Sequence, residues 1–300
     1  MSRILSPQID VVFKKMFADK NNIGLLRNLL SKILGIPEDD LQDIVVLNPE
    51  LLPEEVDQKF SRLDIRAKVA GKNVNIEMQV QNKDDYKSRA LFYWAQLFTS
   101  DFKSGQLYSQ IPETITINIV NFKLFKKKSF HSVFRVSDVE TGEMLSDKFR
   151  IDFVELPKVS FADNVRDELI QWMQFLKVKS EEDLKMLESR NISPTLKEAV
   201  ETLERMSLDR DLRIVAEARE KAIRDELSAL ATAELRGKEE GRAEGRAEGR
   251  AEGRAEGAAE GAASALMEVA GKMLVSGEPI EKIMAFTGLS TEIIEGLKNR

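Results

Sequence analysis

Arg62-Leu63-Asp64-Ile65-Arg66-Ala67-Lys68-Val69, a short Ala70-Gly71-Lys72-Asn73 link, and Val74-Asn75-Ile76-Glu77-Met78-Gln79-Val80-Gln81 form the stretch on which the reading of the whole chain turns. Both halves alternate apolar and polar residues with a period of two, and the link contains glycine, so the pattern predicts two antiparallel strands of a hairpin. Leu63, Ile65, Ala67 and Val69 share one face with Val74, Ile76, Met78 and Val80, while Asp64, Glu77 and Gln79 point the other way. A two-residue loop at Gly71-Lys72 and a four-residue loop from Ala70 to Asn73 predict the same register: Val69 opposite Val74, Ile65 opposite Met78, Arg66 opposite Glu77 and Asp64 opposite Gln79.

In that register Asp64, Glu77 and Gln79 converge, because directly opposed residues have Cβ atoms about 5 Å apart and diagonal ones roughly 7 Å. Two carboxylates that close repel unless a cation lies between them, and hard oxygen ligands suit Mg²⁺, Mn²⁺ or Ca²⁺. The alternative is a solvated strand face, since Arg62, Arg66 and Lys68 occupy the same side.

A strand Asp, a hairpin turn and then Glu-x-Lys on the next strand is the pattern of the PD-(D/E)XK nuclease fold, and Asp64 with Glu77-Met78-Gln79 resembles its Glu-x-Gln variant. That variant resembles the bacterial PD-(D/E)XK transposase-like proteins, the recombination-promoting nucleases. Two further stretches agree: Ser6-Pro7-Gln8-Ile9-Asp10-Val11-Val12-Phe13-Lys14-Lys15-Met16-Phe17, and Tyr86-Lys87-Ser88-Arg89-Ala90-Leu91-Phe92-Tyr93-Trp94. The likeness spans residues 1 to 190 and the habit of a Gly/Glu/Arg-repeat tail. Leu63 stands where the motif has Pro, and Gln79 where most of the superfamily has Lys. The resemblance implies Asp64 and Glu77 as metal ligands with a backbone carbonyl near Met78, Gln79 as the residue that orients the nucleophile, and Mg²⁺ as cofactor, with Mn²⁺ or Ca²⁺ as substitutes. Asp10 and Lys14, from the family's Asp-x-x-Phe-Lys segment, join Arg89 and Tyr93 as second-rank candidates. Asp10 could equally cap the first helix, and Arg89 could be an exposed arginine packed on Tyr93.

Composition removes other chemistries. There is no Cys and one His among 300 residues, so thiol nucleophiles, thiolate metal sites and paired-His metal motifs are excluded. His131, at the start of an alternating strand, reads as a surface residue rather than a catalytic one. Carboxylates are the expected tools of any hydrolysis. A formal net charge of -6 argues against indiscriminate coating of nucleic acid but leaves room for a local basic surface, and Lys123, Lys126, Lys127 and Lys128 form the densest basic run. They could meet a DNA backbone, or simply be solvated. No apolar run approaches a membrane span, and the start of the chain lacks a signal pattern, so a cytoplasmic, membrane-free protein is expected.

In chain order, residues 7–34 read as two helices ending at Gly35, and Asp43-Ile44-Val45-Val46-Leu47-Asn48-Pro49 as a strand before the hairpin. Asp84 to Gly105 reads as a helix burying Leu91, Trp94, Ala95, Leu97 and Phe98, and Thr114 to Phe122 as a central strand. Helix, strand, strand, strand, helix, strand is an α/β order, the αβββαβ mixed sheet of the restriction-endonuclease-like core. Phe130–Val136 and Phe149–Leu156 read as two more strands of that sheet, followed from Asp163 by helices that cover it.

The expected domains are a nuclease-like core over residues 1–160, a helical extension over 161–236, a repeat linker over 237–262 and a helical hairpin or helix-turn-helix tail over 263–300. The Gly-Arg-Ala-Glu repeat turns 400° per four residues on an α-helix, so it has no fixed apolar face, and each Gly costs about 1 kcal/mol relative to Ala. It reads as a linker, with a small-residue packing stripe as the alternative. The tail has too few basic residues for a typical groove reader, which leaves partner contact open beside DNA reading; a homo-oligomer is compatible with either. Two functions follow: a metal-dependent DNA endonuclease linked to recombination or transposition, or a DNA-associated scaffold that keeps the fold while Gln79 reflects lost chemistry.

Overall fold

The structure is a computed structural model that describes residues 4–47, 65–82, 85–100, 102, 104–162 and 166–298. Helices α1 (Asp10–Phe17) and α2 (Ile23–Leu34) lead to strand β1 (Ile44–Val46), followed by β2 (Ile65–Val69), β3 (Lys72–Gln79), α3 (Tyr86–Ser100) and β4 (Thr114–Val120). Strands β5 (His131–Phe134) and β6 (Phe149–Glu155) come next, then α4 (Glu168–Leu176), α5 (Glu181–Glu188), α6 (Pro194–Leu208), α7 (Arg210–Val275), α8 (Ile280–Thr287) and α9 (Thr291–Lys298). The six strands form one mixed sheet in the order β1-β2-β3-β4-β6-β5, parallel where β3 meets β4 and β4 meets β6 and antiparallel elsewhere. This is the mixed α/β architecture expected of the core.

The two faces of the sheet are chemically different, as the period-two pattern requires. Ile65, Ala67 and Val69, Val74, Ile76 and Met78, and Ile115, Ile117 and Ile119 pack in one core with Phe13, Phe17, Leu26, Leu29, Trp172 and Leu203 of the helices. Burying each of these large side chains contributes about 1.5–3 kcal/mol relative to exposure. The helices end where their sequences say. Gly35 takes φ 69° after α2, a left-handed conformation that costs glycine least, and Ser180 with Asp183 forms a capping box at the start of α5. The apolar face carries one polar insertion. Arg150 donates to the Leu34 and Ile33 carbonyls at the end of α2 (3.2 and 3.4 Å) and to Asp152 (2.7 Å), and Asp152 meets His131 Nε2 at 2.7 Å. His131 is therefore half-buried in an ion network, not the surface residue expected, because its strand pairs beside β6 and faces the fully buried Asp152.

The hairpin register also differs from expectation. Val69 pairs with Lys72, Ala67 with Val74, Arg66 with Asn75 and Ile65 with Ile76, two residues away from the predicted partners. The cause is a tighter turn, in which Ala70 (φ 48°) and Gly71 (φ 75°) both take positive φ, the combination whose twist suits adjoining antiparallel strands. A shift of two preserves which face each side chain occupies. The predicted Asp64 to Gln79 pairing falls outside the described residues.

The chain divides into two compact units, residues 1–225 and 226–300. In the first, α4 and α6 pack on α2 and on each other, within the core that the sheet shares. In the second, Ala270, Ile283 and Ile294 form a small core supported by Met273, Leu274 and Leu297. The repeat, expected as a linker, is helical and lies within α7, with every residue from 224 to 269 exposed. Three of every four of its positions are Ala, Glu or Arg, which are strong helix formers. No helix among the described residues is long and apolar enough to cross a membrane.

Candidate active site

The second sheet face is polar and buried. Asn73, Asn75 and Glu77 of β3 stand beside Thr114, Thr116 and Asn118 of β4, and all six are buried. Helix α3 covers this face with Leu97 buried and Trp94 and Phe98 half-buried, as expected, but Leu91 and Ala95 are not turned inward. Tyr86, Ala90 and Leu97 are its buried residues, while Leu91 is 52% exposed and Ala95 is exposed. The correction follows from what lies beneath: a polar strand face selects the helix side that carries hydrogen-bonding aromatics. Tyr86 donates its hydroxyl proton to Asn118 Oδ1 (3.1 Å), and Trp94 donates Nε1–H to the Thr114 carbonyl (2.8 Å).

Glu77 is the one ionisable residue among these six. It is 7% exposed, and Asn75 Nδ2 donates to its Oε1 at 3.1 Å. Burial raises its pKa above the ordinary carboxylate value; the Asn75 hydrogen bond and the charges of Arg89 and Lys14 pull in the opposite direction without cancelling it. The structure thus brings Lys14 of α1 and Arg89 of α3, from distant parts of the sequence, each within electrostatic reach of Glu77 of β3. Gln79 follows on the same strand face, with its Nε2 3.4 Å from the Gln81 carbonyl. Arg89 lies over a tyrosine ring, as considered, but the ring is Tyr86 at 4.8 Å and not Tyr93. The guanidinium Nε of Arg89 is buried with no hydrogen-bond partner among the described residues. Tyr93 packs against Phe92, with centroids 5.9 Å apart.

Asp10 occupies the first turn of α1 but does not cap it. The N-cap is Ile9, with no side-chain bond, and the Asp10 carboxylate lies 3.7 Å from Arg219 of α7. Asp64 lies outside the described residues. Among the described residues no three His, Asp or Glu side chains gather in a metal-binding group. Glu77 itself fits a divalent cation, since a desolvated carboxylate gains most from a neighbouring positive charge.

The lysine run lies on the loop that leaves β4 beside this site. Asn121 N–H donates to the Gln79 carbonyl at 2.9 Å, so the loop begins where β3 ends. It is held by a buried pair that sequence reading missed. Glu155 Oε1 accepts from the N–H groups of Leu124 (2.5 Å) and Phe125 (3.2 Å), while Lys158 Nζ bonds Glu155 Oε2 (2.5 Å) and the Phe125 and Ser129 carbonyls (2.9 and 3.3 Å). The available signal was a third ionisable residue, Glu155, closing a strand that already carries Arg150 and Asp152. Lys123, Lys126, Lys127 and Lys128 are exposed, Lys127 also donating to the His131 carbonyl at 3.1 Å, and Lys87 of α3 adds its ammonium 4.9 Å from the Phe125 ring.

No curated protein and no solved structure matches the chain. A family model described as PD-(D/E)XK nuclease family transposase matches residues 7–233, which include the site, the lysine loop and the covering helices. With three-quarters of its length inside that match, and a mixed sheet that carries a Glu-x-Gln with its Glu buried at the end of a central strand, the chain belongs to the PD-(D/E)XK nuclease family transposases and has a function related to nuclease action and transposition.

Proposed function

We propose that the protein is a metal-dependent DNA endonuclease that hydrolyses phosphodiester bonds during recombination or transposition. The observation that carries this reading is Glu77, a buried carboxylate at the C-terminal end of a parallel strand pair, on which the positive charges of Arg89 and Lys14 act. Ligands of open α/β sheets bind beyond the carboxyl ends of the strands.

Glu77 and Asp64 would hold Mg²⁺, or Mn²⁺ in its place, with a backbone carbonyl near Met78. When bound, the cation supplies charge neutralisation at the scissile phosphate and a more acidic water. Arg89, whose buried Nε has no acceptor among the described residues, and Lys14 orient the phosphate oxygens. Gln79 can accept one hydrogen bond from the attacking water and donate another to a phosphate oxygen, but a neutral amide cannot take the water's proton. Its role is therefore to orient. Asp10, which pairs with Arg219, positions α1 and with it Lys14.

Plasmid nicking tests the reading. Supercoiled DNA is expected to relax with millimolar Mg²⁺ or Mn²⁺ and to stay intact in EDTA; equal rates with and without chelator would refute metal dependence.

The lysine loop supplies a second measurable consequence. Glu155 and Lys158 hold it in one shape, so Lys123, Lys126 and Lys128 can meet phosphates without ordering a flexible segment. Each phosphate neutralised on duplex DNA contributes about 0.9 to the slope of log affinity against log salt. Replacing those three lysines with alanine is expected to reduce that slope by about 2–3, measured by fluorescence anisotropy in Ca²⁺. An unchanged slope would remove the loop from the DNA interface.

A further inference from the structure

At the opposite end of the face that carries Glu77 lies a cleft of about 330 Å³, lined by Lys68 and Asn73 from the sheet, Phe98 from α3, and Phe102 and Gln110 from the segment beyond it. The reading developed above assigns it no role. We propose that it receives one unstacked nucleobase of the DNA strand, with Asn73 as the residue that hydrogen-bonds it. The proposal rests on DNA being the substrate.

The central observation is Asn73. It is 2% exposed, it lines the cleft, and its Nδ2 has no hydrogen-bond partner among the described residues. A buried amide donor left unsatisfied is destabilising, so the site favours an occupant that presents an acceptor. Its backbone N–H is already bonded to the Glu113 carbonyl at 2.8 Å, which fixes the residue in the strand.

The rest of the lining specifies the shape of the occupant. Phe98 stacks on Trp94, with centroids 4.8 Å apart and planes 19° apart, and Phe102 stacks on Tyr108 at 5.2 Å and 25°. Two stacked aromatic pairs at one cleft provide flat apolar surfaces for another ring, the means by which proteins hold unstacked bases. Gln110 accepts the Leu107 N–H through Oε1 at 3.2 Å, which leaves its Nε2 as the donating end of the amide. Carboxamides beside aromatic planes are the combination that reads a base edge while holding its face. The volume lies at the small end of ligand cavities, enough for a base and far too little for a duplex. Asn73 and Glu77 are four residues apart on one strand, about 13 Å. A single strand a few nucleotides long can reach both.

The test uses the full chain without metal, so that binding is read independently of cleavage. Fluorescence anisotropy is measured with a 12-nucleotide single-stranded DNA and with versions that carry one abasic site at each position in turn. Wild-type protein is expected to lose about tenfold or more in affinity when one particular base is removed. Asn73→Asp, which keeps the size but replaces the donor with an acceptor, should bind intact DNA about tenfold more weakly and show little further loss from that abasic site. Should Asn73→Asp fail to fold, Phe102→Ala at the rim carries the same expectation. A flat abasic profile, or variants that bind intact DNA like wild type, would overturn the proposal. Nicking of plasmid by wild type separates the two readings: cleavage with a flat abasic profile removes the base site and keeps the nuclease, whereas position-dependent binding without cleavage keeps the base site and removes the nuclease.

Discussion

Glu77→Gln is expected to eliminate plasmid nicking and, above neutral pH, to raise the melting temperature. Both effects come from one cause, the placement of a carboxylate where water cannot solvate it. Because burial raises the pKa of Glu77, the folded state holds the proton more tightly than the unfolded state does. The sign follows from linkage. Stability is fullest below the ordinary glutamate value of 4.5, and part of it is lost as pH rises through the raised folded value. Glutamine has no proton to lose, so the gap between variant and wild type should be small at acid pH and widen toward pH 8. Each 1 kcal/mol recovered shifts the melting temperature of a unit of this size by about 2–4 °C. Saturating Mg²⁺ should close the gap from the other side, by stabilising wild type alone. Parallel melting curves across the pH range would show that the carboxylate is not desolvated, and undiminished nicking would take Glu77 out of the site.

Asp64→Ala is expected to abolish cleavage while the protein still unfolds cooperatively. The residue belongs to the polar alternation of the hairpin, and the apolar residues that follow it, Ile65, Ala67 and Val69, remain in the core. Loss of one of two proposed carboxylate ligands should weaken Mg²⁺ binding enough to remove the metal-dependent stabilisation. That stabilisation is RT ln(1 + [L]/Kd), about 1.4 kcal/mol for free metal at ten times Kd. Thermal scans with and without 10 mM Mg²⁺ therefore separate the possibilities. A metal-dependent shift in wild type that vanishes in Asp64→Ala supports the ligand role, whereas an equal shift in both, or loss of the cooperative transition in the variant, assigns Asp64 elsewhere.

The fold was legible where side-chain periodicity alone decides it. Alternation along residues 65–69 and 74–78 assigned each side chain to its face, and the stripes Val12, Phe13, Met16, Phe17 and Leu25, Leu26, Leu29, Leu30 marked the helices of the first layer. The hairpin register was not legible in the same way, because it depends on whether Ala70 accepts positive φ, and alanine does not advertise that. Helix α3 misled for a different reason: apolarity predicted Leu91 and Ala95 inward, but the face below it is made of Asn75, Glu77, Thr116 and Asn118. The alternating Thr-Ile-Thr-Ile-Asn-Ile of β4 held that information, while its β-branched residues marked it as the central strand it is. At the candidate site, Glu77 and Gln79 were visible from spacing. The approach of Lys14 and Arg89 to Glu77 depends on how α1 and α3 pack, which no local pattern encodes.

The buried Glu155–Lys158 pair divides the labour of the loop beside the site between residues that hold it and residues that display charge. Replacing Lys126 or Lys128 alters only what the surrounding solution sees, so mutations there can drift, accumulate or reverse without penalty to folding. Replacing Glu155 instead strands two backbone N–H groups and an ammonium in the interior, at several kcal/mol. Selection can therefore retune how strongly the protein grips a polyanion, one lysine at a time, on a scaffold that stays unchanged. The adaptable part of the surface and the constrained part are neighbours in space, about 30 residues apart in the chain, yet they evolve under different rules.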